Sequence, residues 1–281
     1  MKIKKNEKTA PLRSVRMRRM RSDIKLESEY GVTISSINID FSNYVKIPHN
    51  TSCFTQGLYY DANNLMLYES CSSPNSDISV LRVMRGPDQK VVLEKEFPEV
   101  VLEKEFPEVF LEGLTVVGDL IYMLTWKSGF MYILNKLTLE VVGKCYYEGE
   151  GWGLTHDGEY FIMSNGSDRL TWFRIIIGEK IEIKKELNIG VKYLNELEWV
   201  DGHIYANVWY KDEILKIYVD DSKVVDVIKL DQLRTKFENY KSGVLNGIAY
   251  DVVSNRFLIT GKNWEWMYWV NRIRIQGKKE I

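Results

Sequence analysis

Five copies of one motif constrain the fold of this chain more than any other feature of its sequence. In each copy, two alternating apolar runs flank a turn rich in Asp, Asn or Gly, and the second residue is glycine in four of the five. Alternation with a period of two predicts β-strands, and such turns predict that each copy is a β-hairpin. The copies are QGLYYDANNLMLYES from Gln56, EGLTVVGDLIYMLTW from Glu112, WGLTHDGEYFIMSNG from Trp152, NELEWVDGHIYANVW from Asn195 and NGIAYDVVSNRFLITGK from Asn246.

The spacing of these motifs predicts the fold class. Their second residues are separated by 56, 40, 43 and 51 residues, and a repeat of roughly 40–50 residues with several antiparallel strands has the size of a propeller blade. We therefore expect an all-β protein, a five-bladed β-propeller, with a strand near residues 31–41 that helps to close the ring. A β-sandwich would explain the strands but not the repeated motif. Helical signals are weak outside residues 231–240.

The N-terminal segment differs from the rest of the chain. Residues 1–22 contain nine Lys or Arg side chains, one acidic residue and few apolar ones, so they cannot bury enough surface to offset the entropy of ordering. The sequence thus predicts a disordered basic segment at residues 1–30 and a propeller domain at residues 31–281. No secretory signal core is present, so the default expectation is a cytoplasmic protein, with organelle targeting or phosphate contact by the basic segment left open.

Overall charge and composition exclude several classes of partner. The formal net charge is -1, which gives no bulk electrostatic reason to bind nucleic acid or an anionic membrane. No apolar run approaches the roughly 18 residues that a membrane-spanning helix needs. The three cysteines show no CxxC spacing and are expected to be buried thiols, and the three histidines lack paired metal-ligand spacing. We expect no cofactor, no metal and a monomer.

The ends of the motifs predict where a ligand site lies. Equivalent positions of propeller blades lie at one depth around the central channel, so the residues that open and close the motifs should converge on one face. Polar groups beside tryptophans at such a mouth predict a small-ligand site. The alternative is that the tryptophans pack the blades and the polar groups complete turns. The opening residues are Gln56, Glu112, Asn195 and Asn246, and the closing residues are Glu69, Trp126, Trp209 and Lys262.

The same segments resemble a known enzyme family in order over about residues 45–265. They are FTQGL from Phe54, LYES from Leu67, EGL from Glu112, LTW from Leu124, GEGWGLTHDG from Gly149, LNELE from Leu194, ANVW from Ala206, LNGIAYD from Leu245 and TGK from Thr260. Together they are similar to the plant-type and bacterial glutaminyl-peptide cyclotransferases. The resemblance implies a zinc-independent five-bladed propeller that converts the N-terminal glutamine of peptides or proteins to pyroglutamate and releases ammonia.

The resemblance also implies roles for individual residues. Glu112 matches the carboxyl group that carries a proton to the leaving nitrogen, and Lys262 matches a positive charge that stabilises the oxyanion or holds Glu112 in its working state. Gln56 and Asn195 are expected to hydrogen-bond the substrate amide and amine. The expected aromatic wall consists of Phe54, Phe110, Trp126, Trp152 and Trp209. The carboxylates expected to make hydrogen bonds at strand ends instead of touching substrate are Glu69, Glu150, Glu196 and Glu198.

Two other functions remain open on the sequence. The first is a non-catalytic propeller that binds a peptide or sugar at the same mouth, although this chain keeps both Glu112 and Lys262. The second is a metal-dependent propeller hydrolase such as a lactonase, which needs several oxygen ligands around one calcium ion. The axis positions here mix Gln, Trp and Lys with a single strongly implied acid.

Two stretches depart from the family pattern. Leu111 stands before Glu112 where the family usually has glycine, and it could narrow the loop beside the acid. After LYES, the usual small-residue turn is replaced by Cys71-Ser72-Ser73-Pro74-Asn75.

A tandem duplication precedes the second motif. Residues 92–100 read VLEKEFPEV, and residues 101–109 repeat all nine letters. Because an insertion of odd length would reverse the faces of a strand, only one copy can occupy the native register. We expect the copy nearer Glu112 to form the strand and the other to extend a surface loop.

Overall fold

The chain folds into an all-β structure. The computed structural model describes residues 44–85, 100–176, 180–238 and 242–271, which contain twenty strands and one short helix. The predicted basic segment at residues 1–30 and the predicted strand near residues 31–41 lie outside these ranges. Within the described ranges, no helix has the length and hydropathy that a membrane span requires.

The strands form antiparallel meanders of four. The first meander contains β2 (Phe54–Asp61), β3 (Met66–Ser72), β4 (Ile78–Arg85) and β5 (Val100–Pro107). A second four-stranded sheet contains β14 (Leu194–Val200), β15 (His203–Val208), β16 (Glu213–Tyr218) and β17 (Lys223–Lys229). In the last sheet the order is β1 (Val45–Pro48), β20 (Trp266–Asn271), β19 (Arg256–Gly261) and β18 (Leu245–Asp251). The chain therefore closes this sheet with a strand that precedes the first motif.

The remaining eight strands form one sheet that consists of two meanders. The first contains β6 (Leu111–Val117), β7 (Leu120–Thr125), β8 (Phe130–Asn135) and β9 (Val141–Tyr146). The second contains β10 (Leu154–His156), β11 (Phe161–Ser164), β12 (Arg169–Ile176) and β13 (Lys180–Asn188). Within the described residues, one parallel pair, Lys180 with Tyr146, joins β13 to β9, and the end strands β6 and β10 contact each other.

The predicted hairpins are confirmed in all five motifs. Each motif pairs the first two strands of a meander: β2 with β3, β6 with β7, β10 with β11, β14 with β15 and β18 with β19. The weak helical signal corresponds to α1 (Asp231–Phe237), which follows β17.

Glycine at the second motif position permits close packing of neighbouring first strands. A Cβ atom on Gly113 would lie 2.6 Å from the backbone nitrogen of Leu154 and 2.6 Å from the carbonyl oxygen of Trp152. A side chain there would force β6 away from β10. The first strands contact one another in the cyclic order β2, β6, β10, β14, β18 and back to β2, and this contact brings the motif openings together.

The expectation that Cys53 and Cys71 are thiols is wrong. They form a disulfide with a Cα–Cα distance of 5.0 Å. Cys53 directly precedes β2, and Cys71 pairs with Thr55 across the hairpin, so hairpin pairing brings together two cysteines whose spacing of 18 residues carries no signature. Cys145 is buried in β9, as predicted.

The duplicated nonapeptide supplies the fourth strand of the first meander. β5 is formed by residues 101–107 of the second copy together with Val100, the last residue of the first copy, and it pairs with β4. The expectation that the copy nearer Glu112 forms the strand therefore agrees with the structure. The first copy up to residue 99 lies outside the described residues.

Candidate active site

One cavity of about 450 Å³ collects the residues singled out in the sequence. All nine predicted site residues line it: Phe54, Gln56, Phe110, Glu112, Trp126, Trp152, Asn195, Trp209 and Lys262. Six further lining residues come from two loops: Ser73, Pro74, Ser76, Asp77, Glu108 and Val109. The structure thus brings together side chains that are separated by as many as 208 positions along the chain.

Irregular strand pairing occurs where the polar site residues lie. The hairpin register shifts between Thr55 and Gly57, between Leu111 and Leu114, and between Leu194 and Leu197. Each shift adds one unpaired residue, as a β-bulge does, and bulges change the direction in which a side chain points. Gln56, Glu112 and Asn195 lie within these three shifts, which explains how strands packed on both faces supply polar groups to the cavity.

Glu112 is a buried carboxyl group that accepts one side-chain hydrogen bond within the described part of the chain. Its Oε1 accepts from Nε2 of Gln56 at 3.2 Å, and the residue is 5% exposed. Burial raises the pKa of Glu112 well above its usual range, the positive charge of Lys262 opposes this effect, and the negative charge of Glu150 adds to it. A carboxyl group with a raised pKa can both accept and return a proton near neutral pH.

Lys262 is a second buried titratable group of the cavity lining. Its Nζ lies 4.4 Å from the ring centroid of Phe54, which is a favourable position for a cation over an aromatic face. Burial lowers the pKa of Lys262 to about 8, although the charge of Glu112 opposes the shift. The backbone N–H of Lys262 donates to Val244, and its carbonyl accepts from Gly243, so the main chain is fixed. In the described structure the two side chains do not form a direct ion pair.

Two amide side chains, those of Gln56 and Asn195, line the cavity together with Glu112. The Oδ1 atom of Asn195 is buried and has no hydrogen-bond partner within the described residues, so it is an unused acceptor at the cavity. Asn246 lies behind Gln56, and its Nδ2 donates to the carbonyl oxygen of Thr55 at 3.0 Å and to Oε1 of Gln56 at 3.5 Å. This contact directs the Nε2 group of Gln56 toward Glu112. Asn246 itself does not line the cavity, contrary to expectation.

The aromatic residues of the lining pack in pairs. The ring centroids of Phe110 and Trp126 are 5.5 Å apart, and those of Trp152 and Trp209 are 5.4 Å apart. Tyr210, which was not singled out in the sequence, stacks on Trp209 at 4.3 Å. These rings give the cavity an apolar wall that can contact methylene groups and exclude water.

Glu150 has a position that the sequence did not predict. It was expected to fix a strand end, but its Oε2 atom accepts from Nε1 of Trp126 at 2.8 Å and from Nε1 of Trp152 at 3.0 Å. The sequence feature that could have indicated this contact is the position of Glu150 itself, an acidic residue two positions before Trp152.

The other motif carboxylates make structural hydrogen bonds, but Glu196 and Glu198 do so from within β14 and not at the strand ends where they were expected. Oε2 of Glu196 accepts from the backbone N–H of Ile248, and Oε1 of Glu198 accepts from that of Tyr250, which ties β14 to β18. Glu69 bonds to His49 and does not line the cavity. The expectation that Glu69 converges on the cavity mouth is therefore wrong.

The two departures from the family pattern have different outcomes. Leu111 is completely buried in a core cluster between β3 and β6 and does not line the cavity, so it does not narrow the space beside Glu112. Ser73 and Pro74, in the altered turn after β3, form part of the lining.

Comparisons with known proteins identify similar chains. A family model described as "Glutamine cyclotransferase" matches residues 25–272. A glutaminyl-peptide cyclotransferase of Arabidopsis thaliana is 32% identical over 243 residues, which cover 83% of this chain and 71% of the relative. The crystal structure of a Myxococcus xanthus glutaminyl cyclase is similar with a TM-score of 0.68 at 29% identity, and the match covers 80% of this chain and 93% of that one.

Proposed function

This chain belongs to the glutamine cyclotransferase family, and we propose that it converts the N-terminal glutamine of peptides or proteins to pyroglutamate with release of ammonia. The observation that carries the proposal is a buried carboxyl group and a buried amine that share one apolar cavity, with their pKa values shifted toward neutrality.

The reaction needs no nucleophile from the enzyme. The neutral α-amine of the substrate attacks the carbon of its own γ-carboxamide, and a C–N bond closes a five-membered ring. The amine gives up one proton, the former carboxamide nitrogen gains one, and the old C–N bond breaks to release ammonia. The protein must fold the side chain back on itself, stabilise the charge that develops on the carbonyl oxygen and move that proton.

Glu112 and Lys262 are suited to the last two tasks. In the proposed mechanism, Glu112 accepts the proton from the attacking amine and delivers it to the departing nitrogen. Lys262 stabilises the oxyanion. This electrostatic stabilisation is strongest when the site excludes water.

The amides and aromatic rings would hold the substrate in the reactive geometry. Asn195 has an unused acceptor for an N–H of the substrate amine. Gln56 is held by Asn246 and contacts Glu112, so it can fix the carboxyl group relative to the substrate amide. The glutamine methylenes would pack against the aromatic wall.

We further propose that the sheets are the blades of a five-bladed β-propeller, with the eight-stranded sheet as two blades. The cyclic contact of the five first strands supports this arrangement, as does the single residue pair that joins the halves of the larger sheet. The division into a basic segment at residues 1–30 and a catalytic propeller at residues 31–281 is part of the same proposal.

The proposed reaction is independent of zinc. The cavity lining contains no histidine or cysteine among the described residues, and these are the residues that usually bind catalytic zinc. One described group could supply metal ligands, namely His49, Cys53 and Glu69, but it does not line the cavity and its cysteine is in a disulfide.

Mass spectrometry of a Gln-initiated peptide incubated with the purified protein tests the proposal. We expect the loss of one ammonia mass, at the same rate with and without a chelator, and no change in the same peptide with an acetylated N-terminus. Binding of the peptide without mass loss would instead favour the non-catalytic binding function. Activity that a chelator abolishes and zinc restores would contradict the zinc-independent mechanism.

A further inference from the structure

One carboxylate bridges two walls of the cavity. Trp126 follows β7, and Trp152 precedes β10 in the next meander. Oε2 of Glu150 accepts a hydrogen bond from both indole N–H groups, at 2.8 Å and 3.0 Å. Its Oε1 lies 3.6 Å from Nζ of Lys127, which in turn lies 3.9 Å from the ring centroid of Trp126.

The backbone around Glu150 reinforces this bridge. The N–H of Gly151 donates to the carbonyl oxygen of Trp126 at 3.1 Å, and the N–H of Trp152 donates to Ser164 at 3.0 Å. The segment is thus fixed to both meanders, and its carboxylate is held between the two indole N–H groups. Hydrogen bonds to a charged acceptor are stronger than those between neutral groups, so Glu150 is an effective anchor for both rings.

The same carboxylate places a negative charge near Glu112. Burial is the main cause of the raised pKa of Glu112. The charge of Lys262 lowers this pKa, and the charge of Glu150 raises it. The other titratable groups that face this site are Tyr147, whose hydroxyl donates to the carbonyl oxygen of Thr125, and the two acids of the lining, Asp77 and Glu108. Among these acids, and within the part of the chain that the structure describes, only Glu150 is hydrogen-bonded to the aromatic wall.

We propose that Glu150 is a positioning residue that orients Trp126 and Trp152 against the substrate and places a negative charge near Glu112. The inference rests on the proposed function, because it assigns to Glu150 an effect on the cyclisation site. It predicts two separable effects: one depends on the hydrogen-bond acceptor and the other on the charge.

Three variants separate these effects. Glu150→Gln keeps an acceptor oxygen and removes the charge, Glu150→Ala removes both, and Glu148→Gln removes a charge from an exposed residue of the same segment. We expect the limb of the pH–kcat profile that reports Glu112 to move to lower pH in both Glu150 variants, because loss of a nearby negative charge lowers the pKa of a carboxyl group. KM for a Gln-initiated peptide should rise about tenfold in Glu150→Ala and stay within about twofold in Glu150→Gln, since a lost anchor of this kind is worth roughly 1.4 kcal/mol.

Aromatic variants provide the matched control for the hydrogen bonds. Trp126→Phe combined with Trp152→Phe removes both indole N–H groups and keeps aromatic rings. In that background, Glu150→Ala should cause little further rise in KM while the shift in the pH profile remains. Thermal unfolding of each variant establishes that it is folded at the assay temperature.

The outcomes distinguish this inference from the proposed function. A wild-type protein that does not release ammonia from the peptide overturns the proposed function and this inference with it. A wild-type protein that turns over, with both Glu150 variants matching Glu148→Gln in KM and in pH profile, overturns the inference alone. An equal rise in KM for Glu150→Ala in the wild-type and aromatic-variant backgrounds also overturns the positioning role.

Discussion

Two buried carboxyl groups of the motifs have opposite surroundings. Glu69 lies in a corner that we define by His49, Glu69, Thr55 and the Cys53–Cys71 disulfide. Its Oε1 accepts from Nε2 of His49 at 2.8 Å and from the hydroxyl of Thr55 at 2.9 Å. Among the residues that the structure describes, Glu112 accepts one side-chain hydrogen bond, at 3.2 Å from Gln56, forms no direct ion pair with Lys262 and lines the cavity.

The difference shows that motif position and burial do not decide which acid is functional. Glu69 and Glu112 are 1% and 5% exposed, so desolvation is severe for both. In the corner, a cation and a hydroxyl compensate the negative charge, which is the usual arrangement for a structural buried carboxylate. In the cavity, the charge is poorly compensated and the pKa is shifted, which is typical of functional sites.

The largest expected effect is on turnover in Glu112→Gln. Because this variant cannot carry the proton to the leaving nitrogen, kcat should fall by about 10²-fold or more, the usual contribution of a general acid–base group. The unfolding midpoint should stay near that of the wild type, since a neutral amide fills the same space. Steady-state kinetics and thermal unfolding measure the two effects, and near-normal turnover would exclude Glu112 as the proton carrier.

Lys262→Ala is expected to be nearly as damaging. Loss of the charge should cost about 3 kcal/mol of transition-state stabilisation, mainly through kcat, because the oxyanion exists only in the transition state. Lys262→Met fills more of the space of the lysine side chain without a charge, so it separates loss of the charge from the empty space that alanine leaves. A change confined to KM would make Lys262 a binding residue instead.

In the corner, Glu69→Gln should affect stability more than turnover. Removing one partner of a buried charged pair should lower the free energy of unfolding by about 3 kcal/mol, with His49 left uncompensated. Denaturant unfolding measures this loss. If the unfolding midpoint of Glu69→Gln were unchanged and its kcat fell as much as that of Glu112→Gln, Glu69 would be a functional and not a structural carboxyl group.

The pH dependence of stability sharpens the same contrast. Burial lowers the pKa of His49, but the charge and hydrogen bond of Glu69 and the bond to the Trp264 carbonyl raise it, and the net shift is upward from 6.5. The stabilisation that protonated His49 contributes through its contact with Glu69 is therefore fully present below about pH 6.5. It is lost as pH rises through the raised pKa of His49 in the folded protein. We expect stability to decline over that interval in the wild type and not in His49→Gln, as followed by denaturant unfolding at several pH values.

The smallest effect is expected from deletion of residues 92–100. After the deletion, Val91 takes the place of Val100 before the second copy, so the sequence that forms β5 is unchanged. A shorter connection has a lower closure entropy cost, and stability should be equal or slightly higher with unchanged turnover. Failure of the deletion variant to fold would show that the first copy is required by the native structure.

The sequence predicted the parts of the site that repeat and missed those that do not. Gln56, Glu112 and Asn195 open motifs, so their common location followed from the expected fold before any contact was known. Glu150 lies between two motifs and His49 precedes the first motif, and their partners depend on how loops pack against neighbouring sheets. The disulfide was missed for the same reason, since the β2–β3 register that aligns its cysteines includes a bulge.

The most direct test compares ammonia release by the wild type, Glu112→Gln and Glu69→Gln with one Gln-initiated peptide, at a temperature where all three are folded. We expect Glu69→Gln to keep a rate within about tenfold of the wild type. Glu112→Gln should be slower by about 10²-fold or more, despite being the more stable variant. Retained activity in Glu112→Gln, or an equal loss in both variants, would contradict the claim that the cavity and not the corner carries out the chemistry.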